Sequence, residues 1–183
     1  MNLIDLLKSV EIDSIRPNQL ETEINEIIIK KITYHSKKVE ADTLFVCIKG
    51  HQTDGHNYAR HAVSQGATVI IVEQFIEDLD VIQIKVPNSR EALAVLSCNF
   101  FDHPSKSMSL FGVPATNGKT TITYMTEEIF KAYQLKSGII GTIVIKIDKE
   151  IEMSRLTTPE SYDLQQYFAK MRDQEITHVS MEV

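Results

Sequence analysis

The chain has 183 residues, 43% hydrophobic and 24% charged, with a formal net charge of −6. That is enough apolar material for one large core or two small ones. An acidic chain whose longest basic runs are Lys30-Lys31 and Lys37-Lys38 offers no footprint for nucleic acid or for a membrane surface. Its two cysteines, Cys47 and Cys98, lack metal-ligand spacing and read as buried, reduced thiols. With no stretch of signal or membrane-spanning length, the expectation is a cytoplasmic protein.

In chain order, residues 3–9 read as a short helix with Leu3, Leu6 and Leu7 on one face, followed by a polar stretch through Asn25. Residues 27–33, 43–49, 68–72 and 81–86 are short runs rich in β-branched side chains and read as strands. Residues 57–65 form a helix closed by Gly66. Residues 89–101 form another, with Asn88 and Glu91 spaced as a capping box. This alternation predicts a small α/β domain, residues 1–104, bounded where Pro104 stops the helix.

A second α/β unit, residues 105–183, opens with a strand at 108–113 and a helix at 120–133. A strand at 137–140 follows, then a hairpin of 143–147 and 150–155 turning at Asp148-Lys149. Thr158 is expected to cap a helix from Pro159 to about Asp173, before a strand at 177–183. A doubly wound nucleotide-binding sheet usually has about five or six strands, and this unit supplies three besides the hairpin. The expectation is a fragment or truncated product.

The connection Gly112-Val113-Pro114-Ala115-Thr116-Asn117-Gly118-Lys119-Thr120-Thr121 lies between a strand and a helix. Such a turn aims backbone N–H groups and a helix N-terminus at one point, which suits a phosphate. Lys119 adds a full charge and Thr120 a hydroxyl of the kind that ligates the magnesium carried by a nucleotide. Position 113 is Val, so the standard Gly-x4-Gly-Lys-Thr spacing is not met. The alternative is a plain connection in which Gly118 supplies a positive φ while Lys119 and Thr120 are solvated.

Several motifs stand in a recognisable order: Thr116-Asn117-Gly118-Lys119-Thr120-Thr121, Thr157-Thr158-Pro159-Glu160 and Met181-Glu182-Val183. Upstream of them stand Ser36, Asp42-Thr43-Leu44-Phe45-Val46 and Gly50-His51-Gln52-Thr53-Asp54-Gly55-His56. Together they resemble the Mur ligases over essentially the whole chain, most of all the UDP-N-acetylmuramoyl-tripeptide synthetases. The resemblance implies an N-terminal UDP-binding α/β domain and an incomplete, Rossmann-like phosphate-loop central domain. It implies an ATP-dependent ligase that adds the third amino acid to UDP-N-acetylmuramoyl-L-alanyl-D-glutamate in peptidoglycan synthesis.

By that resemblance Thr116, Asn117, Gly118, Lys119, Thr120 and Thr121 bind ATP, with Lys119 catalytic on the β- and γ-phosphates. Thr120 and Glu182 ligate Mg2+. Ser36, His51 and Gln52 contact the UDP portion, and Thr157 and Thr158 the muramoyl-peptide end. The partners implied are UDP-N-acetylmuramoyl-dipeptide, ATP and an amino acid.

The chain also departs from the pattern, with Pro114-Ala115 for the family's Thr-Gly, His35-Ser36-Lys37 for Asp-Ser-Arg, and Leu156 for Asn. Proline removes a backbone donor, alanine resists a left-handed conformation, and lysine lacks arginine's bidentate fork. Rival readings are a binding remnant without turnover, another Mur-type ligase and a generic phosphate-loop ATPase. The isolated chain is expected not to catalyse ligation.

Overall fold

The computed structural model describes residues 1–17, 24–50, 53–154 and 157–183. Two compact units, Met1–Phe100 and Phe101–Val183, divide the chain.

In the first unit a sheet runs in the order β1 (Ser14–Arg16), β5 (Ile82–Lys85), β4 (Ala67–Val72), β3 (Thr43–Val46), β2 (Lys31–Thr33). Strands β2 to β5 are mutually parallel and β1 is antiparallel to β5. Their side chains alternate between two buried faces. Phe45, Cys47, Ile70 and Val72 pack with Ala59 and Ala62 of α2 (Ala59–Ser64). Leu44, Val69, Ile71 and Ile84 are equally buried, as are Leu3 and Leu6 of α1 (Leu3–Leu6) and Leu93 and Leu96 of α3 (Ser89–Phe100).

Three local expectations change. The supposedly polar stretch after α1 contains β1, an edge strand in which Ile15 alone is half-buried, so no alternating apolar signal marks it. The expected strand 27–33 shortens to β2 because its first residues bond to the N-terminal segment instead. The Leu3 N–H donates to Ile27 O at 2.9 Å and the Ile29 N–H to Met1 O at 2.8 Å. The first helix closes after one turn, capped by Asn2 Oδ1 on the Ile4 N–H.

In the second unit the order is β6 (Ser109–Val113), β10 (His178–Glu182), β7 (Ser137–Ile140), β8 (Val144–Ile147), β9 (Glu150–Met153). β6, β10 and β7 are parallel, and β8 and β9 continue as an antiparallel hairpin. The helix α4 (Lys119–Ala132) turns Thr123 and Glu127 inward. Across the sheet, α5 (Ser161–Asp173) brings Phe168 and Met171 onto Ile140, Ile145, Ile147 and Val179. Four of the five residues of β6 are exposed, as are Ile122, Met125 and Ile129 of α4 and Tyr133 just after it.

The expected cap at Thr158 is corrected. The helix starts at Ser161, and Glu160 is its N-cap, accepting the Ser161 N–H at 3.1 Å. Proline holds the residue before it extended, so Thr158 continues the loop rather than starting a helix.

Candidate functional site

At the carboxyl end of β6 the chain turns sharply into α4. The Val183 N–H donates to Val113 O at 3.2 Å, and Glu182 pairs in register with Val113, so the end of β10 lies beside the start of the turn. Gly118 takes the left-handed conformation, φ 78° and ψ 3°, and no side chain caps the helix behind it. The first-turn N–H groups of α4 are therefore free of a competing side-chain acceptor at their N-cap, with the positive end of the helix dipole behind them. Ala115 is not among the residues of positive φ, so the alanine found there meets no left-handed strain. Lys119 and Thr120 are half-buried, and Thr116, Asn117 and Thr121 are exposed.

Glu182 is 2% exposed. Its Oε1 accepts the Thr142 N–H at 3.2 Å and its Oε2 the Thr142 hydroxyl at 2.7 Å. A Cβ built on Gly141 would stand 2.6 Å from Oε1, so glycine is what lets the carboxylate lie against this backbone. Thr142 Oγ1 is also 3.1 Å from Thr157 Oγ1, which draws the Thr157-Thr158 segment to the same edge. Thr158 itself is exposed. Among the described residues Glu182 has no cationic partner. Burial of a carboxylate without a counter-ion is costly, and the two Thr142 bonds offset part of that cost. No group of three or more His, Cys, Asp or Glu capable of holding a metal occurs among the described residues. Thr120 and Glu182, which the resemblance assigns to magnesium, both carry oxygen donors, the hard type that such a cation takes.

In the first unit the loops following β2, β3 and β4 share the carboxyl edge of the parallel strands, where ligands of open α/β sheets bind. Ser36 opens a 3-10 turn, Ser36–Lys38, after β2. His51 and Gln52 lie outside the described residues, as does Leu156. The ends of their loop are fixed, with the Gly50 N–H donating to Thr53 O at 2.8 Å and the Gly55 N–H to Ile48 O at 2.9 Å.

Beyond this loop, His56 is held at both ring nitrogens. Nδ1 lies 2.6 Å from Asp54 Oδ1, and Nε2 is 2.9 Å from the Glu73 N–H. Nε2 must accept that N–H, so the proton sits on Nδ1 and is donated to Asp54. Burial works against the Asp54 charge, yet the His56 backbone and ring bonds outweigh it and hold the carboxyl below its usual range. Glu73 behaves alike. Burial raises its pKa, but Lys49 at 2.9 Å and the N–H and hydroxyl of Ser89, at 3.1 and 2.9 Å, bring it below the ordinary value. Lys49, Asp54, His56, Asn57 and Phe75 line a cavity of about 250 Å³.

The structure thus gathers Thr157 and Glu182 at one edge of the second unit, beside the turn that carries Thr116 to Thr121. It places Ser36 on the loop edge of the first unit. Sequence reasoning overlooked Gly141, Thr142, Lys49 and Glu73. A Gly-Thr pair directly after the expected strand 137–140 was the available signal for the first two.

Two α/β units, the second with a phosphate-type turn beside a buried acidic residue, define a recognisable class. The profile of the Mur ligase middle domain matches residues 113–183, and that of the Mur ligase family, catalytic domain, matches residues 28–101. The chain belongs to the Mur ligase family. A Clostridium botulinum relative, UDP-N-acetylmuramoyl-L-alanyl-D-glutamate--2,6-diaminopimelate ligase, is 45% identical over 188 residues covering 100% of this chain and 37% of that protein. The Clostridioides difficile protein of the same name is 39% identical, covering 100% and 37%. A solved structure of a ligase so named superposes with a TM-score of 0.72 at 20% identity, over 92% of this chain and 34% of that one, which supports the fold. The chain spans little more than a third of the length of these curated relatives. Among the described residues no helix is long and apolar enough to cross a membrane.

Proposed function

We propose that this chain supplies the UDP-sugar-binding part and the start of the ATP-binding part of a peptidoglycan ligase. The substrate is UDP-N-acetylmuramoyl-L-alanyl-D-glutamate, which receives a third amino acid, 2,6-diaminopimelate in the names of the relatives. The observation that carries this reading is the left-handed Gly118 turn opening α4 next to the buried Glu182.

A carboxylate is a poor acyl donor. Transfer of the γ-phosphoryl group of ATP makes it an acyl phosphate, which the incoming amine attacks to form a tetrahedral intermediate that expels phosphate. Lys119 and the first N–H groups of α4 hold the β- and γ-phosphates and offset the charge that builds there. Thr120 and Glu182 would hold the magnesium carried by the nucleotide, which would supply charge neutralisation at the phosphate oxygens. Thr157 and Thr158 position the peptide end, while Ser36, His51 and Gln52 hold the UDP portion in the first unit.

Calorimetric titration of the chain with magnesium and a non-hydrolysable ATP analogue tests this reading. Saturable binding abolished by Lys119→Ala is expected. A folded chain that takes up no nucleotide would overturn it.

A further inference from the structure

The Thr142 contacts are more specific than a strand end requires. Both oxygens of Glu182 are satisfied from one residue, the N–H to Oε1 and the hydroxyl to Oε2. The hydroxyl has a single proton, and a carboxylate oxygen only accepts, so that proton belongs to Glu182. The 3.1 Å contact with Thr157 then runs the other way, with the Thr157 hydroxyl donating to Thr142 Oγ1. The result is a directed chain, Thr157 to Thr142 to Glu182, with its direction set at the carboxylate end.

We propose that Thr142 is a positioning residue that fixes the Glu182 carboxylate for a divalent cation and couples that site to the loop of Thr157 and Thr158. This rests on the reading of Glu182 as a magnesium ligand. With two lone pairs committed to Thr142, Glu182 keeps one preferred rotation and offers the rest of its lone pairs to the cation. Gly141 contributes by leaving out the Cβ that would displace Oε1. A ligand group that draws the Thr157 proton away from Thr142 leaves that hydroxyl less polarised, and the change is felt at Glu182. Occupation of the Thr157 loop is thereby linked to cation affinity, and by linkage the cation affects binding at that loop equally.

The test is the affinity of the full 183-residue chain for Mn2+ with a non-hydrolysable ATP analogue, read by electron paramagnetic resonance. Thr142→Val keeps the shape and the N–H but loses the hydroxyl, and should weaken Mn2+ binding about tenfold, in the range typical of groups that orient metal ligands. Thr142→Ser should restore it to within about twofold, and metal-free nucleotide affinity and the thermal midpoint should change little in either variant. A merely structural role would lower all three together. Thr157→Val should cost a smaller, severalfold loss, and carries the test should Thr142→Val not fold.

Unchanged Mn2+ affinity in Thr142→Val or Thr157→Val, with Glu182→Gln defective, overturns the coupling alone. Glu182→Gln binding Mn2+ like the unaltered chain overturns the ligand reading and the coupling with it.

Discussion

Lys146 of β8 and Glu127 of α4 meet at 2.5 Å, and Glu127 is only 2% exposed. Lys131, one turn further along α4, closes on the same carboxylate at 2.9 Å. The pair ties the antiparallel hairpin to the helix that follows the phosphate turn, about two turns along it from Lys119.

Removing Lys146 takes the nearer of two cations from the buried Glu127 and leaves Lys131 as its remaining partner. Lys146→Ala should therefore destabilise the second unit by about 1.5–3 kcal/mol, the loss of one charged hydrogen bond with Lys131 still in place. The double substitution Glu127→Leu with Lys146→Met should recover most of the loss, because a matched apolar pair avoids the desolvation penalty. Urea unfolding followed by circular dichroism measures both.

Glu73 makes the first unit sensitive to acid. Against its burial, Lys49 and Ser89 hold its carboxyl below the ordinary glutamate value in the fold, so its contribution is complete above the unfolded value and is lost as the pH falls through the folded one. Midpoints measured from pH 7 downward should hold until about pH 5 and then decline. Glu73→Gln should be less stable at neutral pH and flatter below pH 5, and parallel curves for the two proteins would rule out Glu73 as the source.

Two glycines near the phosphate turn should respond in opposite ways to alanine. Gly118 has open space around it but a φ of +78°, so Gly118→Ala costs about 1–2 kcal/mol of backbone strain and weakens nucleotide binding by shifting the turn. Gly112 is extended, and a Cβ there would meet Val183 at an ordinary 3.4 Å. Gly112→Ala should leave stability and nucleotide affinity nearly unchanged, as denaturation and calorimetry will register.

The cysteines should differ in reactivity. Cys47 is fully buried, and burial, reinforced by the nearby Asp54 charge, pushes its thiol well above the usual range. Cys98 is partly exposed. A thiol reagent should therefore modify Cys98 first, with Cys47 reacting only as the chain unfolds.

What could be read in the sequence follows from where the signal was local. The strands β3 and β4 carry mostly apolar residues because both of their faces are largely covered, and Asn88 caps α3 through the Arg90 and Glu91 N–H groups as its spacing suggested. The edge strand β1 was hidden because an edge needs only one apolar residue. Thr158 was misread because a threonine before proline is compatible both with a cap and with an extended loop. Glu182 was legible as a motif residue, whereas its partner Thr142 lies 40 residues away and meets it only through the pairing of β7 with β10.

The sheet order of the second unit has a consequence for synthesis. β6 and β7 do not pair with each other, and β10, made much later, lies between them. In the first unit β2 to β5 pair with their sequence neighbours, so those strands can join as they leave the ribosome. The second unit must wait. Until residues 178–182 appear, the uncharged Ser109-Leu110-Phe111-Gly112-Val113 has neither of its edges covered by a strand. Nascent chains of this protein therefore pass through an interval in which that segment is open to chaperones or to aggregation, and the strand bearing Glu182 ends it.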